Sequence, residues 1–231
     1  MVTNLNEART IIENVEKDPF KVDWLNVARR EILSFLKKNL SDAKDKEEVF
    51  DVSIDAINRM GYELSFIAIF REDRKYSSAV RIRVDSELIN RVEDYARKMM
   101  PNMTIMMYRI PIHEEGRMFR MFLLEQNKPL VTDNIKIANP GEAITASISD
   151  LYENLITKNS PLVLLLPAFK RIVPYKSAMS THIFTEGTAM GNIGIASGRE
   201  LTEGDLNMLI VISEMMSQAL SRLGFGRNYI L

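Results

Sequence analysis

Seven consecutive residues, Leu64-Ser65-Phe66-Ile67-Ala68-Ile69-Phe70, are β-prone and apolar at nearly every position. A strand with one face in water alternates apolar and polar residues, so this run predicts a central strand buried on both faces. The charged stretch Arg71 to Lys75 then makes a turn. After it Val80, Ile82 and Val84 alternate with Arg81 and Arg83, which predicts a half-exposed strand closing a hairpin.

Helical periodicity flanks this hairpin. Leu25, Ala28, Ile32, Phe35 and Leu36 predict an amphipathic helix within residues 22–40. Asp45 with Glu48 three residues on predicts the capped start of a second helix that carries Phe50, Ile54 and Ile57 and stops at Gly61. A helix is expected from about Ser86 to Met99, a strand from Thr104 to Ile112, a short helix around Met118 to Leu123 and a brief strand over Leu130 to Asp133. Ile148, Leu151, Tyr152, Leu155 and Ile156 mark a further helix. Residues 160–174, opening on Ser160-Pro161, read as a short helical or irregular lid. A last hairpin is expected around Thr185-Glu186-Gly187-Thr188, and Thr202 with Asp205 opens the final helix.

The 231 residues suffice for one ordinary domain with some helical extension, divided as residues 1–44, 45–223 and a tail over 224–231. Hydrophobic residues at 46% and charged residues at 26% are the balance of a folded globular chain. Thirty basic residues against thirty-one acidic ones give no broad positive field for nucleic acid or an anionic membrane surface. No apolar run is long enough to span a bilayer and the first residues lack signal-peptide blocks, so a cytoplasmic location is expected. The chain has no cysteine, which removes disulfides, thiolate metal sites, thiol nucleophiles and thioether-linked pigments. Its only histidines are His113 and His182, too few for a site of several imidazoles.

Lys176 to Phe184, the turn at Glu186-Gly187, the stretch Met190-Gly191-Asn192-Ile193-Gly194-Ile195-Ala196-Ser197 and Leu201-Thr202-Glu203-Gly204-Asp205-Leu206 resemble the last two strands and closing helix of the GAF family. The resemblance covers roughly residues 45–223; a PAS-like sensor domain shares the sheet but not usually this closing helix. It implies an α+β fold, a central antiparallel sheet of five or six strands with the N- and C-terminal helices on one face and a ligand pocket on the other. It also implies a non-catalytic sensory module for a small molecule, signalling through its terminal helices to a separate output protein. The pigment-attaching and methionine sulfoxide reductase kinds need cysteine and are excluded. Asn127-Lys128 and Asp133 match the cyclic-nucleotide signature only in part, since no Phe and Glu complete it.

Within that frame the candidate ligand residues are Tyr108, Arg109, Arg117, Asp133 and His182. Arg109 and Arg117 bracket the connection where the family's pocket opens and suit a carboxylate or phosphate. Asp133 and Asn134 offer hydrogen bonds at a strand end or simply form a turn. His182 lies on a predicted strand, either facing a pocket or satisfied within the sheet; as a haem ligand it would define a gas or redox sensor. His113-Glu114-Glu115 reads as a polar loop, because three consecutive residues do not converge on one ion. No nucleophile with a base, no paired carboxylates and no phosphate-binding glycine loop stands out, and the cofactor is left open.

The last helix carries two apolar rows, Leu206, Leu209, Met216, Leu220 and Leu223, and Met208, Ile212, Met215 and Ala219. One sheet face covers one row. The surplus predicts a parallel homodimer through the first and last helices, with Leu209, Met216, Leu220 and Leu223 as the interface row, or a purely structural dimerisation domain.

Overall fold

A computed structural model describes residues 27–71, 76–84, 110–111, 128–155 and 175–226, with Glu87, Asn90, Arg91, Asp94, Arg97 and Lys98 between them. The elements are α1 (Val27–Asp42), α2 (Lys46–Asn58), β1 (Leu64–Arg71), β2 (Tyr76–Val84), β3 (Ile110–Pro111), β4 (Leu130–Thr132), β5 (Ile144–Ala146), α3 (Ile148–Leu155), β6 (Ser177–Thr185), β7 (Thr188–Ser197) and α4 (Glu203–Arg222). The six isolated residues from Glu87 to Lys98 are helical and exposed, as the sequence predicts.

Local chemistry sets the boundaries. Asp45 accepts a hydrogen bond from the Glu48 N–H at 2.9 Å and so caps α2, while the Glu48 carboxylate accepts from the Lys44 N–H at 2.7 Å. Gly61, at φ +77°, turns the chain from α2 into β1. Thr202 and Asp205 form a reciprocal capping box at the start of α4. The β6–β7 turn has both central residues at positive φ, Glu186 at 51° and Gly187 at 78°, the conformation whose twist matches a two-residue hairpin.

The sheet order is β3-β2-β1-β7-β6-β4-β5, so the apolar run of β1 lies between β2 and β7, inside the sheet as expected. Among the described residues the sheet has seven strands, and β4 with β5 is a parallel pairing in an otherwise antiparallel sheet. β3 falls within the strand expected from Thr104 to Ile112, whereas β5, three residues long, is too short for alternation to register. The sheet and helices together make the α+β architecture expected from the sequence.

Helices α1, α2 and α4 cover one face. Their buried residues, among them Leu33, Leu36, Phe50, Ile54, Ile57, Met208 and Ile212, join Ile67, Ile69, Met179, Ile183, Ile193 and Ile195 of the sheet in one core. Each such side chain stabilises the fold by about 1.5–3 kcal/mol through removal from water. α1 is part of this core rather than an appendage. It runs in the same direction as α4: Arg29 near its start reaches Asp205 at 3.1 Å, and at its end the carbonyls of Leu40, Ser41 and Ala43 accept from Arg222. Arg222 thereby satisfies carbonyls that the end of a helix leaves open.

Three of the four residues expected to form a dimer interface on α4 are enclosed by their own chain. Leu209, Met216 and Leu220 are 2%, 0% and 0% exposed within a single chain, and Met208, Ile212 and Ala219 of the other row are buried too. One sheet face cannot cover both rows, but α1 and α2 supply the second cover. Only Leu223 and Met215 remain half-buried. The helix ends at Leu223 through Gly224 at φ +73°, where the Phe225 N–H bonds the Leu220 carbonyl and the Gly224 N–H bonds that of Ser221. Phe225 then folds back edge-on against Phe50, with ring centroids 6.1 Å apart.

Candidate functional site

The opposite face of the sheet has a different character. Ile193 and Ile195 point into the helical core, so alternation places Asn192, Gly194 and Ala196 of β7 on the far side. Their ladder partners on β6 are His182, Ser180 and Ala178, and on β1 they are Ala68, Phe66 and Leu64. The centre of this face is therefore made of small and polar residues around one aromatic ring. A second, smaller apolar group of Phe70, Leu130, Ala146 and Ala189, with Ile144, Leu151 and Phe184 packed against it, is separate from the main core.

Gly194 explains the position of the ring. A methyl group there would overlap the Phe66 ring edge and come within 3.0 Å of the Ser180 Cβ. The missing side chain lets Phe66 lie across β7 toward β6. Gly191 has a different reason, because its added methyl would run into the Ala68 carbonyl of the neighbouring strand.

His182, the strand histidine singled out from the sequence, is 6% exposed and lies opposite Asn192, itself 3% exposed. The imidazole is tilted against the Phe184 ring at a centroid distance of 6.0 Å. The side-chain carbonyl oxygen of Asn192 is buried and has no hydrogen-bond partner among the described residues. The backbone beneath these residues is held by the last helix. β4 pairs with β6 only at Met179 and Ser180, and beyond that the Ser213 hydroxyl donates to the His182 carbonyl at 2.5 Å while the Phe184 N–H donates to Ser217 at 3.0 Å.

The other expected site residues are not gathered here. Asp133 is exposed in the turn after β4, with its N–H bonded to the Ala146 carbonyl. Continuing the β4–β6 register puts it level with Ser177, five residues or about 17 Å along the strand from His182. Asn134 behaves as a turn former, accepting from Thr132 and donating to Ser177, each at 2.6 Å. Tyr108, Arg109, Arg117 and the His113-Glu114-Glu115 group lie outside the described residues, as does the 160–174 segment. Asn192 and Phe66 do not stand out from the sequence as site residues. The alternation of Asn192 with Ile193 and Ile195 is the signal that marks it as facing away from the apolar core.

A second polar cluster lies at the start of α4. The Asp205 carboxylate accepts from Tyr62 at 2.8 Å, Arg29 at 3.1 Å, Arg199 at 3.4 Å, and the Thr202 N–H and hydroxyl at 2.8 Å each. Burial acts to raise its pKa, but the donors from Tyr62, Thr202 and Arg199 outweigh that and hold it below the ordinary carboxylate range. A carboxylate so fully satisfied ties segments together and has no lone pair left for acid–base work. Among the described residues no three histidine, aspartate or glutamate side chains converge as a metal site, and no helix is long and apolar enough to cross a membrane.

This arrangement, with three helices on one face of an antiparallel-rich sheet and a polar, small-residue opposite face, is the GAF fold. The phycocyanobilin-bound GAF domain from a cyanobacterial phytochrome matches 89% of this chain over 100% of its own, with a TM-score of 0.56 at 10% identity. The phycoerythrobilin-bound GAF domain from a cyanobacterial phytochrome matches 88% of this chain over 100% of its own, with a TM-score of 0.54 at 11% identity. Residues 122 to 287 of a methyl-accepting chemotaxis protein match 84% of this chain over 98% of that one, with a TM-score of 0.51 at 15% identity. No protein-family model matches the sequence, and no curated protein matches it. At these identities the likeness is one of fold.

Proposed function

We propose that this chain is a non-catalytic sensory module that binds a small molecule on the sheet face away from α1, α2 and α4. It passes the state of that face to a separate signalling protein through the terminal helices. The observation that carries this reading is the buried Asn192, whose side-chain carbonyl oxygen has no hydrogen-bond partner among the described residues, opposite the buried His182 on this face. Buried polar groups cost stability unless paired, and their retention beside small residues marks a binding surface. The bond from Ser213 to the His182 carbonyl supports the output route, since it places α4 one residue's backbone away from the proposed site.

Two of the structural neighbours hold bilins, and a bilin here would be held without a covalent thioether because the chain has no cysteine. His182 on the same face supports haem as a second reading. A thermal-shift panel of nucleotides, amino acids, keto acids, bilins and haem tests both. Binding by at least one class is expected to raise the melting temperature, by about 2.7 kcal/mol of stabilisation at a hundredfold excess over Kd. A Soret band that disappears in His182→Ala selects haem. A turnover activity that depends on residues of this chain would overturn the non-catalytic reading.

A further inference from the structure

We infer that Gly224-Phe225-Gly226, the segment that follows α4, is a strap seated on the tip of the β6–β7 hairpin, so that the hairpin tip and the exit from α4 open and close as one unit. This deepens the output route proposed above and rests on it for its use in signalling, though not for its existence in the unliganded chain.

The two glycines let the segment fold back. Gly224 at φ +73° and Gly226 at φ +113° take conformations that side chains disfavour, and they flank one bulky residue. Phe225 is 5% exposed and stands edge-on to Phe50 of α2, while its N–H bonds the Leu220 carbonyl at 3.0 Å. Arg222, bonded to the carbonyls of Leu40, Ser41 and Ala43, fixes the turn from which the segment departs. Gly226 then lies against Thr185, the last residue of β6. An added methyl there would overlap the Thr185 hydroxyl, which is buried and has no hydrogen-bond partner among the described residues.

The hairpin tip is the part of the sheet with the fewest strand partners. Among the described residues β4 pairs with β6 no further than Ser180, and β1 pairs with β7 no further than Gly191, so residues 184–190 extend past both neighbours. The ladder within the hairpin itself shifts register between Ile183 and Phe184. Beyond that shift the Phe184 N–H is bonded by the Ser217 hydroxyl of α4, and Thr185 is met by Gly226. A segment held by few ladder bonds opens at a lower free energy than the core, so these contacts from α4 and the strap decide how firmly the tip is closed. Such coupling is reciprocal: whatever loosens the strap loosens the tip, and the reverse.

Native-state hydrogen exchange on the unliganded full chain, followed by NMR at the Phe184 and Phe225 amides and at those of β1, tests this. Phe225→Ala and Gly226→Ala each unseat the strap without touching the acceptor of the Phe184 N–H. Both are expected to speed exchange of that amide at least about tenfold relative to β1, and Phe225→Leu to restore it. Ser217→Ala should speed the Phe225 amide in the same way, and it reads the coupling from the other end if a strap variant does not fold. Exchange that changes only on the mutated side, or that rises equally in β1, overturns the strap. Failure of every compound in the panel above removes its use in sensing and leaves the coupled opening, which is read without ligand, standing.

Discussion

The phenol of Tyr62 donates to the Asp205 carboxylate at 2.8 Å, and this bond ties the approach to the central strand to the first turn of the last helix. Burial and the neighbouring carboxylate push the phenol's own pKa far up, so it remains a donor at any ordinary pH. Asp205 moves the other way and is ionised in the folded protein below the pH at which an unfolded aspartate, near pKa 3.9, would be.

Acid stability follows from that sign. A carboxyl with a depressed folded-state pKa contributes stability that is fully present above about pH 4 and is lost as pH falls through the lower folded value. Asp205→Asn is expected to be less stable at pH 7 by about 3 kcal/mol, since Tyr62, Arg29 and Arg199 lose a shared carboxylate, and to show a flatter decline as pH falls below about 4. Tyr62→Phe should cost about 1.5–3 kcal/mol. Urea midpoints measured across that pH range check both.

The two glycines of β7 should separate in severity. Gly194→Ala meets a phenyl ring that can swing aside, at a cost of about 1–3 kcal/mol. Gly191→Ala meets the backbone carbonyl of Ala68 in the middle of the sheet, where nothing gives. Chemical denaturation is expected to rank Gly191→Ala well below Gly194→Ala. Equal midpoints would contradict the strand packing described.

Asn192→Leu is expected to make the unliganded protein more stable. An unpaired buried carbonyl costs about 1–3 kcal/mol, and an apolar side chain of similar size removes that cost. A higher melting temperature together with lost ligand response is the pattern of a residue kept for binding. A clear loss of stability would instead mean that Asn192 serves the fold.

Leu220→Glu distinguishes the packing of α4 from the interface expected of it. Leu220 is fully enclosed by its own chain, so an ionised side chain there should abolish cooperative unfolding in circular dichroism. A folded variant that only changes its sedimentation would restore the interface.

Local features of this protein are legible in the amino-acid sequence by itself. The Asp45 and Thr202 caps, the glycine stop at Gly61, the turn at Glu186-Gly187 and the unbroken apolar run of β1 are each written in a few neighbouring residues, because capping bonds and turn dihedrals reach only three or four positions along the chain. The tertiary structure decided what the pattern leaves open. Two apolar rows on α4 state how much surface must be hidden, and nothing in their spacing says whether a second molecule or α1 and α2 will hide it. The short strand β5 is defined by its pairing with β4. Asn192 likewise becomes a candidate binding residue only when β6 brings His182 beside it and the sheet closes over an acceptor with no donor among the described residues, since burial and hydrogen-bond satisfaction belong to the folded neighbourhood and not to the residue.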